Sequence, residues 1–287
     1  MFIIIPQYVE EDQKVHATSL EPGLWGLERI DAHDSNYGPI GGFGTVVYVI
    51  DTGILPTHQQ FAPTGRAFTS GEYDFMSDSR NGIDCNGHGT HCAGTVAGKT
   101  FGVAPGAHVV GVRVLDCSGS GSFSGVIAGI NKVREDCPSG FATGPGTQGT
   151  PFYRKRCIAS MSLGGGYSDS VNEAVNRLEE KRVPVAVAAG NENTDACTKS
   201  PASATGAITV GSTTSSDARS DFSNFGACVN IFAPGSFVLS AVETSDTATD
   251  TKYGTSMASE YFWFHDTCNA SYLALIRRRC DDVVRRP

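Results

Sequence analysis

The 287-residue sequence lacks several features that mark other classes of protein. No apolar run approaches the ~20 residues of a transmembrane helix, and apolar residues 2–5 are too few for the core of a secretory signal peptide. Basic residues are fewer than acidic ones, 22 against 30, which argues against nucleic acid as the main partner. The nine cysteines form no CxxC pair, so a common zinc-binding pattern is absent, and no segment is repeated.

Glycine and cysteine, by contrast, are abundant. Glycine accounts for 34 of the 287 residues, about 12% where roughly 7% is average, which indicates many tight turns and backbone-lined clefts. Nine cysteines exceed what a typical cytosolic enzyme carries, so we expect disulfides formed in an oxidising compartment. The length suits one α/β domain with a sizeable core.

Apolar β-branched runs alternate with helical stretches along the chain. Residues 45–50 are almost wholly apolar and predict a parallel strand buried on both faces. The spacing of Ser170 and Glu173 predicts a capping box at a helix start. The alternation predicts an α/β fold, a parallel sheet with helices on both faces, whose sites lie beyond the carboxyl ends of the strands. Further strands are predicted at 109–115, 157–163, 183–189 and 207–210, and helices at 88–97, 123–133 and 170–180.

Four positions carry groups suited to nucleophilic catalysis. The small residues around Ser256 fit a nucleophile at a helix start, where free N–H groups favour an anion. His88, between two glycines, is the candidate base, and Asp51 at a strand end is its candidate orienter. Asn191 follows another strand and offers an amide N–H to an oxyanion. Each also has an ordinary alternative: a helix cap, a surface histidine, a turn-capping aspartate and a turn asparagine.

Two other chemistries fit parts of these motifs. His88 and His91 could share a helix face and ligate zinc, but no third ligand lies at a convincing spacing. Residues 119–125 follow a strand and precede a helix, as in a dinucleotide-binding loop. Their spacing is GxGxxxG, and no strand ending in an acidic residue follows about 20 residues later, so we expect no organic cofactor such as NAD.

Together, the motifs resemble the subtilisin family. Val-Ile-Asp-Thr-Gly, His-Gly-Thr-His, Ser-Leu-Gly-Gly-Gly, Ala-Ala-Gly-Asn and Gly-Thr-Ser-Met-Ala occur here with the family's order of Asp, His and Ser. Subtilisin is itself a reference case for this order and for an oxyanion-binding asparagine. Residues 160–167 and 200–203 are similar to the proteinase K branch, and the resemblance covers about residues 22–259.

The resemblance implies a secreted serine endopeptidase of broad specificity, a monomer acting on proteins and peptides. Ser256 would attack the scissile carbonyl, His88 would carry the proton and Asp51 would orient His88. The Asn191 amide and the Ser256 N–H would hold the oxyanion. Substrate would pair with Gly119-Ser120-Gly121 and with Ser162-Leu163-Gly164, and Ala188-Ala189-Gly190 would line a roomy, apolar pocket. A non-catalytic peptide-binding protein of the same fold is the alternative, and an incomplete gene product that does not fold is another.

The resemblance also bears on the cysteines. It implies the disulfides Cys85–Cys117 and Cys197–Cys228. It further implies that Cys92 is a buried free thiol. Cys137 and Cys157 bracket a loop rich in Gly, Pro and Thr, which a bond between them could close, whereas Cys268 and Cys280 have no secure partner.

Calcium is the ion that the resemblance implies. The matching positions are Thr205, Ala207 and Asn230, and Asn230 replaces a carboxylate, which weakens a site for a hard cation. Asp31 is a candidate for a second site. Solvent-facing polar residues without an ion are the alternative at both places.

The two ends of the chain differ from the middle. Residues 1–17 resemble the end of the family's inhibitory propeptide, so the catalytic domain is predicted at 18–259 and the signal peptide would lie outside this sequence. From Glu260, aromatics and arginines replace the small residues of the relatives' buried helix. Overpacking typically costs about 1–3 kcal/mol per misfit, and Glu260 would bring a charge toward the core. We therefore expect 260–287 to be a divergent tail of the kind a gene-model error produces, and a poorly folding chain with little activity.

Overall fold

Strands and helices alternate along the part of the chain that the computed structural model describes, residues 14–17, 24–30, 41–62, 65–141 and 155–261. The strands are β1 (Lys14–Ala17), β2 (Thr45–Asp51), β3 (Ala67–Phe68), β4 (His108–Arg113), β5 (Ser120–Ser122), β6 (Arg156–Met161), β7 (Leu163–Gly166), β8 (Val185–Ala188), β9 (Lys199–Ser200), β10 (Ile208–Thr213), β11 (Ile231–Pro234), β12 (Val238–Ala241) and β13 (Thr249–Lys252). The α-helices are α1 (Trp25–Arg29), α2 (His88–Ala97), α3 (Phe123–Asp136), α4 (Asp169–Glu180) and α5 (Thr255–Tyr261), and 3-10 helices cover Gly71–Tyr73 and Ala196–Thr198.

Seven parallel strands form the central sheet, in the order β11-β10-β8-β6-β2-β4-β3. The predicted α/β class and the parallel sheet are therefore confirmed. The predicted strand at 157–163 is wrong in one respect: β6 ends at Met161, and the chain re-enters a different, antiparallel sheet as β7. A continuous apolar run could not reveal this change of partner, because pairing depends on segments distant in sequence.

The two faces of the sheet carry separate cores. Along β2, Val46, Tyr48 and Ile50 contact one core, which also contains residues of α3 and α4. Val47 and Val49 contact the other, which contains residues of α2 and α5. Successive strand residues point to opposite faces, so an unbroken apolar run is what a strand covered on both sides requires.

The start of α4 differs from the prediction. The N-cap is Ser168, whose side chain accepts a hydrogen bond from the Val171 N–H at 3.3 Å. Ser170 therefore lies within the first turn, and Glu173 accepts from Arg177 at 3.0 Å instead of reaching back to a cap. Ser168 and Ser170 are both good capping residues, and the tertiary position of the preceding strand selects between them.

Three disulfide bonds join described residues. Cys85–Cys117 and Cys197–Cys228 have Cα separations of 4.9 and 5.2 Å, as expected for the predicted pairs. Cys137–Cys157 has a Cα separation of 6.3 Å and closes the loop between these residues. The sequence could only suggest this third bond. Cys92 is buried and free.

Several predictions concern residues outside the described ranges. These are Asp31, Cys268 and Cys280, most of the proposed propeptide remnant, and the tail from residue 262 onwards. Within the described residues, Glu260 and Tyr261 lie buried at the end of α5. No helix in these ranges has the length and apolarity needed to cross a membrane.

Candidate active site

Asp51, His88 and Ser256 lie on three different elements, and two of these side chains, Asp51 and His88, are in contact. Asp51 is the last residue of β2, His88 is the first of α2, and Ser256 is the second of α5, a helix packed against α2. His88 Nδ1 lies 2.8 and 2.9 Å from the two carboxylate oxygens of Asp51, and both side chains are buried. Ser256 Oγ donates to the Ser162 carbonyl oxygen at 3.2 Å.

The Asp51 contact determines which nitrogen of His88 can act as a base. A carboxylate only accepts, so Nδ1 carries the proton and Nε2 of the neutral ring has the lone pair. His88 Nε2 is buried and has no hydrogen-bond partner among the described residues. Burial by itself lowers the pKa of His88, but the charge and hydrogen bond of Asp51 outweigh it and raise that pKa above its ordinary value. The pair therefore suits reversible proton uptake.

Glycine at position 89 allows α2 to start against the end of β2. A Cβ atom there would lie 2.1 Å from the Gly53 carbonyl oxygen, closer than any side chain tolerates. The Gly89 N–H, one of the free donors of the first turn, reaches Thr52 Oγ1 at 2.8 Å. The glycines beside His88 thus permit close packing of the helix start, and not only access to the imidazole.

Asn191 has an orientation suited to donating a hydrogen bond. The N–H and the hydroxyl of Thr255 donate to Asn191 Oδ1 at 2.9 and 2.8 Å. Because these two hydrogen bonds fix the amide oxygen, the Nδ2 group of Asn191 points away from Thr255 and can donate to another group. Thr255 Oγ1 also accepts the Gly190 N–H at 3.0 Å, which joins the loop after β8 to the start of α5. Asn191 and Ser256 are therefore linked through one residue.

Asn224, which the sequence did not single out, braces the loop that carries Asn191. Its Oδ1 accepts the N–H groups of Glu192 and Thr194 at 3.1 and 2.9 Å, and its Nδ2 donates to the Ala189 carbonyl at 2.9 Å. The loop turns at Gly190, which has φ of +100°, and a Cβ there would lie 2.3 Å from Asn224 Nδ2. Only this long-range packing identifies Asn224, since nothing in its local sequence does.

The predicted substrate-pairing segments form the two sides of a cleft. β5 contains Ser120 and Gly121, with Gly119 just before it, and β7 contains Leu163 and Gly164, with Ser162 just before it. β1 lies between them, antiparallel to both: His16 pairs with Ser120 on one side and with Gly164 on the other. An extended backbone segment of the chain itself therefore occupies this cleft.

A cavity of about 360 Å³ opens beside β7 and the loop after β8. Ala188, Ala189 and Gly190 line it as predicted. Glu192 and Lys199 also line it and form an ion pair at 2.9 Å, so the mostly apolar cavity has a charged part. The remaining lining residues are Leu163, Gly164, Gly165, Gly166, Asn191, Ser200 and Ala202.

Zinc and dinucleotide binding find no support in the geometry. His91 Nε2 lies 3.0 Å from the Val238 carbonyl, and burial lowers the pKa of His91 to about 3. The cluster of potential metal ligands among the described residues comprises Asp51, His88 and Cys92, but burial raises the pKa of the Cys92 thiol far above its usual range. In segment 119–125, the Ser122 hydroxyl accepts the Gly125 N–H, so α3 is capped by its own chain.

The residues predicted to bind calcium offer weak ligands. Asn230 Oδ1 accepts the Thr209 N–H at 2.7 Å, so one of its two lone pairs is already used. The Thr205 hydroxyl is directed to Asn176 at 3.4 Å, and Ala207 supplies only its backbone carbonyl. No carboxylate stands among these three residues. Because hard cations favour carboxylates, this set does not fit a strong calcium site, and no catalytic role is derived from one.

Glu260 is a fully buried acid next to the site. Ser160 Oγ lies 2.9 Å from both of its oxygens, and Ser162 Oγ lies 2.8 Å from Oε1. Burial raises the pKa of Glu260 to about 7, against the opposing effect of these hydroxyls and with a smaller contribution from Asp51. The expected approach of a charge to the core is therefore confirmed, with hydroxyl groups that partly compensate for it.

Replacing Glu260 with glutamine should stabilise the protein at pH 8 and hardly affect it at pH 5. The pKa of Glu260 is higher in the folded state than in the unfolded state. The protonated side chain therefore contributes most to the stability of the native state below about pH 4.5, and that contribution is lost as pH rises through about 7. A shift from 4.5 to about 7 corresponds to ~3 kcal/mol at pH 8. Urea unfolding at both pH values measures the difference. The exposed Glu180→Gln serves as control, and equal gains at pH 5 and pH 8 would contradict the prediction.

The elements above define an α/β protein whose parallel sheet presents a buried Asp–His pair near a serine at a helix start. The model of the subtilase family matches residues 42–259. The chain belongs to the subtilase family, in agreement with the resemblance read from its motifs.

Individual relatives agree with this assignment. An extracellular serine proteinase of Thermus sp. (strain Rt41A) is 47% identical over a 260-residue alignment, which covers 88% of this chain and 58% of that protein. The alkaline serine exoprotease A of Vibrio alginolyticus is 45% identical over 269 residues, 88% of this chain and 46% of that protein. The crystal structure of a cold-adapted subtilisin-like serine proteinase has a TM-score of 0.73 and 46% identity, covering 88% of this chain and 85% of that one. The chain thus spans about half the length of the two full-length relatives.

Proposed function

We propose that this protein is a secreted serine endopeptidase that hydrolyses peptide bonds through Asp51, His88 and Ser256. The observation that carries the proposal is the buried Asp51–His88 pair, which leaves Nε2 as the basic nitrogen. Family membership and relatives named as serine proteinases support the reaction class. Disulfide bonds and a relative named extracellular support export. A peptide-binding protein without catalysis is the competing hypothesis.

The proposed reaction proceeds by acyl transfer. Ser256 Oγ attacks the scissile carbonyl carbon while its proton passes to His88 Nε2, and the carbonyl oxygen becomes an oxyanion. The Asn191 amide and the Ser256 N–H donate to that oxyanion. His88 then protonates the leaving amine as the C–N bond breaks. His88 Nε2 then removes a proton from water, whose oxygen attacks the acyl carbon, and His88 returns that proton to Ser256 Oγ as the Oγ–C bond breaks and the acid product leaves.

Substrate would bind as an extended strand between the segments 119–121 and 162–164. The backbone of β1 supports this mode of binding, since it occupies the cleft as an antiparallel partner of both β5 and β7. Glycines in these strands let a substrate backbone approach closely. The cavity beside Ala188 would take the side chain before the cut. Its size supports broad specificity, and the Glu192–Lys199 pair adds a polar part.

We further propose that residues 1–17 are the end of an inhibitory propeptide. Ala17, the last residue of β1, pairs with Leu163 of β7, and this pairing supports a mature chain that would begin next to the site. Residues 18–259 would then form the mature catalytic domain. The propeptide would act as an intramolecular inhibitor by occupying the cleft that substrates need.

A fluorophosphonate probe tests the proposed function. It reacts with serines activated as nucleophiles, so the proposal requires labelling of the folded chain that Ser256→Ala abolishes. Ser212→Ala, a buried serine on β10, should label normally. Labelling that persists in Ser256→Ala would overturn the triad. Absence of labelling in a chain that melts cooperatively would favour the non-catalytic alternative.

The same samples report on the propeptide. Intact-mass analysis should show cleavage after Ala17 in the unmodified chain and none in Ser256→Ala. Cleavage in both, or only elsewhere, would contradict the assignment of residues 1–17.

A further inference from the structure

Asp84 is a buried carboxylate four residues before His88, and its hydrogen-bond capacity is heavily used. Oδ1 accepts the N–H groups of Asn86 and Gly87 at 2.9 and 3.0 Å. Oδ2 accepts the N–H and the hydroxyl of Thr90 at 2.9 and 2.6 Å. The carboxylate therefore binds the loop before His88 and the first turn of α2 together.

A fifth hydrogen bond connects Asp84 to the end of β2. The Thr52 hydroxyl donates to Asp84 Oδ1 at 2.9 Å and accepts the Gly89 N–H at 2.8 Å. The backbone N–H of Thr52 donates to Asp51 Oδ1 at 2.7 Å. Thr52 thus touches the proposed orienting carboxylate with its main chain and Asp84 with its side chain. The Thr52 hydroxyl is thus one of the contacts that fix the relative position of β2 and α2.

No lysine or arginine forms a salt bridge with Asp84 among the described residues. A carboxylate that is only 4% exposed is instead stabilised by five N–H and O–H donors. Its negative charge also acts on His88, whose pKa it helps to raise, although less than burial and Asp51 affect it. Asp84 therefore influences the imidazole of His88 in two ways, through the hydrogen bonds that hold the start of α2 and through its negative charge.

We propose that Asp84 is a positioning residue for catalysis, which fixes Asp51 and His88 relative to each other through Thr52 and the first turn of α2. It touches neither substrate nor reacting atoms. Its contribution is to keep Nδ1 of His88 facing the Asp51 carboxylate while the ring gains and loses a proton. The inference rests on the proposed function, and its test separates the two.

The test measures kcat and KM of Asp84→Asn with a peptide anilide, normalised to active sites counted by fluorophosphonate titration. A carboxamide keeps the shape but turns one acceptor into a donor facing N–H groups. We expect kcat to fall about 10- to 100-fold with KM nearly unchanged, because small misplacements of a catalytic group have effects of this size. Loss of the charge lowers the pKa of His88, so the acidic limb of the kcat/KM profile should move to lower pH.

The control is Asp136→Asn, another buried acid, which accepts from Tyr73 and Lys132 away from the site. It should lower the melting temperature without changing kcat per active site or the acidic limb. The proposal would be overturned if folded Asp84→Asn kept both its kcat and the acidic limb of its kcat/KM profile. It would also be overturned if Asp136→Asn showed the same fall in kcat and the same shift of the acidic limb. Hydrolysis retained in Ser256→Ala would instead overturn the proposed triad.

A Thr52 pair keeps the proposal testable if Asp84→Asn does not fold. Thr52→Val removes the hydroxyl and retains the Asp84 charge, so kcat should fall several-fold while the acidic limb stays in place. Thr52→Ser restores the hydroxyl and should restore kcat. Equal kcat in the two variants would contradict a role for this contact.

Discussion

Replacing Ser256 with alanine is expected to lower kcat by about 10⁶-fold, and His88→Ala should do the same, because either change removes half of the proposed nucleophile–base pair. This magnitude comes from subtilisin, a reference case of the same family. The double variant should be no slower than either single one, since both act in one step. Hydrolysis of a peptide anilide by purified variants, normalised to protein concentration because a chain without Ser256 gives no burst, measures these ratios.

The Asp51→Asn variant separates orientation from proton transfer. Its amide can donate to Nδ1 of His88, which would favour the wrong tautomer and place the proton on Nε2. We expect a loss of about 10⁴-fold with the structure of the site retained. A loss under tenfold in Asp51→Asn would show that the buried Asp51–His88 contact is structural and not catalytic. Asp136→Asn, a buried aspartate at the end of α3, is the matched control.

Truncating Asn191 to alanine is expected to lower kcat by about 10²- to 10³-fold, or ~2.7–4 kcal/mol of transition-state stabilisation, with little change in KM. The reason is geometric: Thr255 holds the amide oxygen, so the Nδ2 group can donate to a developing oxyanion. Such a contact forms with the transition state more than with the ground state, so kcat carries the loss.

The control for Asn191 is Asn193→Gly in the same loop. Asn193 has φ of +53°, and glycine keeps that conformation without strain while removing the side chain. It should retain nearly full kcat. If KM rose in Asn191→Ala while kcat stayed constant, the amide would be a substrate-binding group and not part of an oxyanion hole.

Much of the fold and of the candidate site was predictable from sequence because it depends on local patterns. The apolar run 45–50 predicted β2, and helix α2 begins at His88 and ends at Ala97, as expected. Asp51 and Asn191 were identified because parallel strands deliver side chains at their carboxyl ends. The motif order added the pairing of Cys85 with Cys117 and of Cys197 with Cys228.

The sequence by itself determined the class of fold, the family and the candidate catalytic groups, because strand periodicity and short motifs are local. The tertiary structure alone decided what holds those groups in place. Asp84 reaches Thr52 across 32 positions, and Asn224 reaches the Asn191 loop across about as many. The tertiary structure also pairs Lys199 with Glu192 in the pocket and brings Glu260 into hydrogen-bond contact with Ser162. Such contacts arise from how sheets and helices pack, and a hydrogen bond between distant residues leaves no periodic trace in the chain.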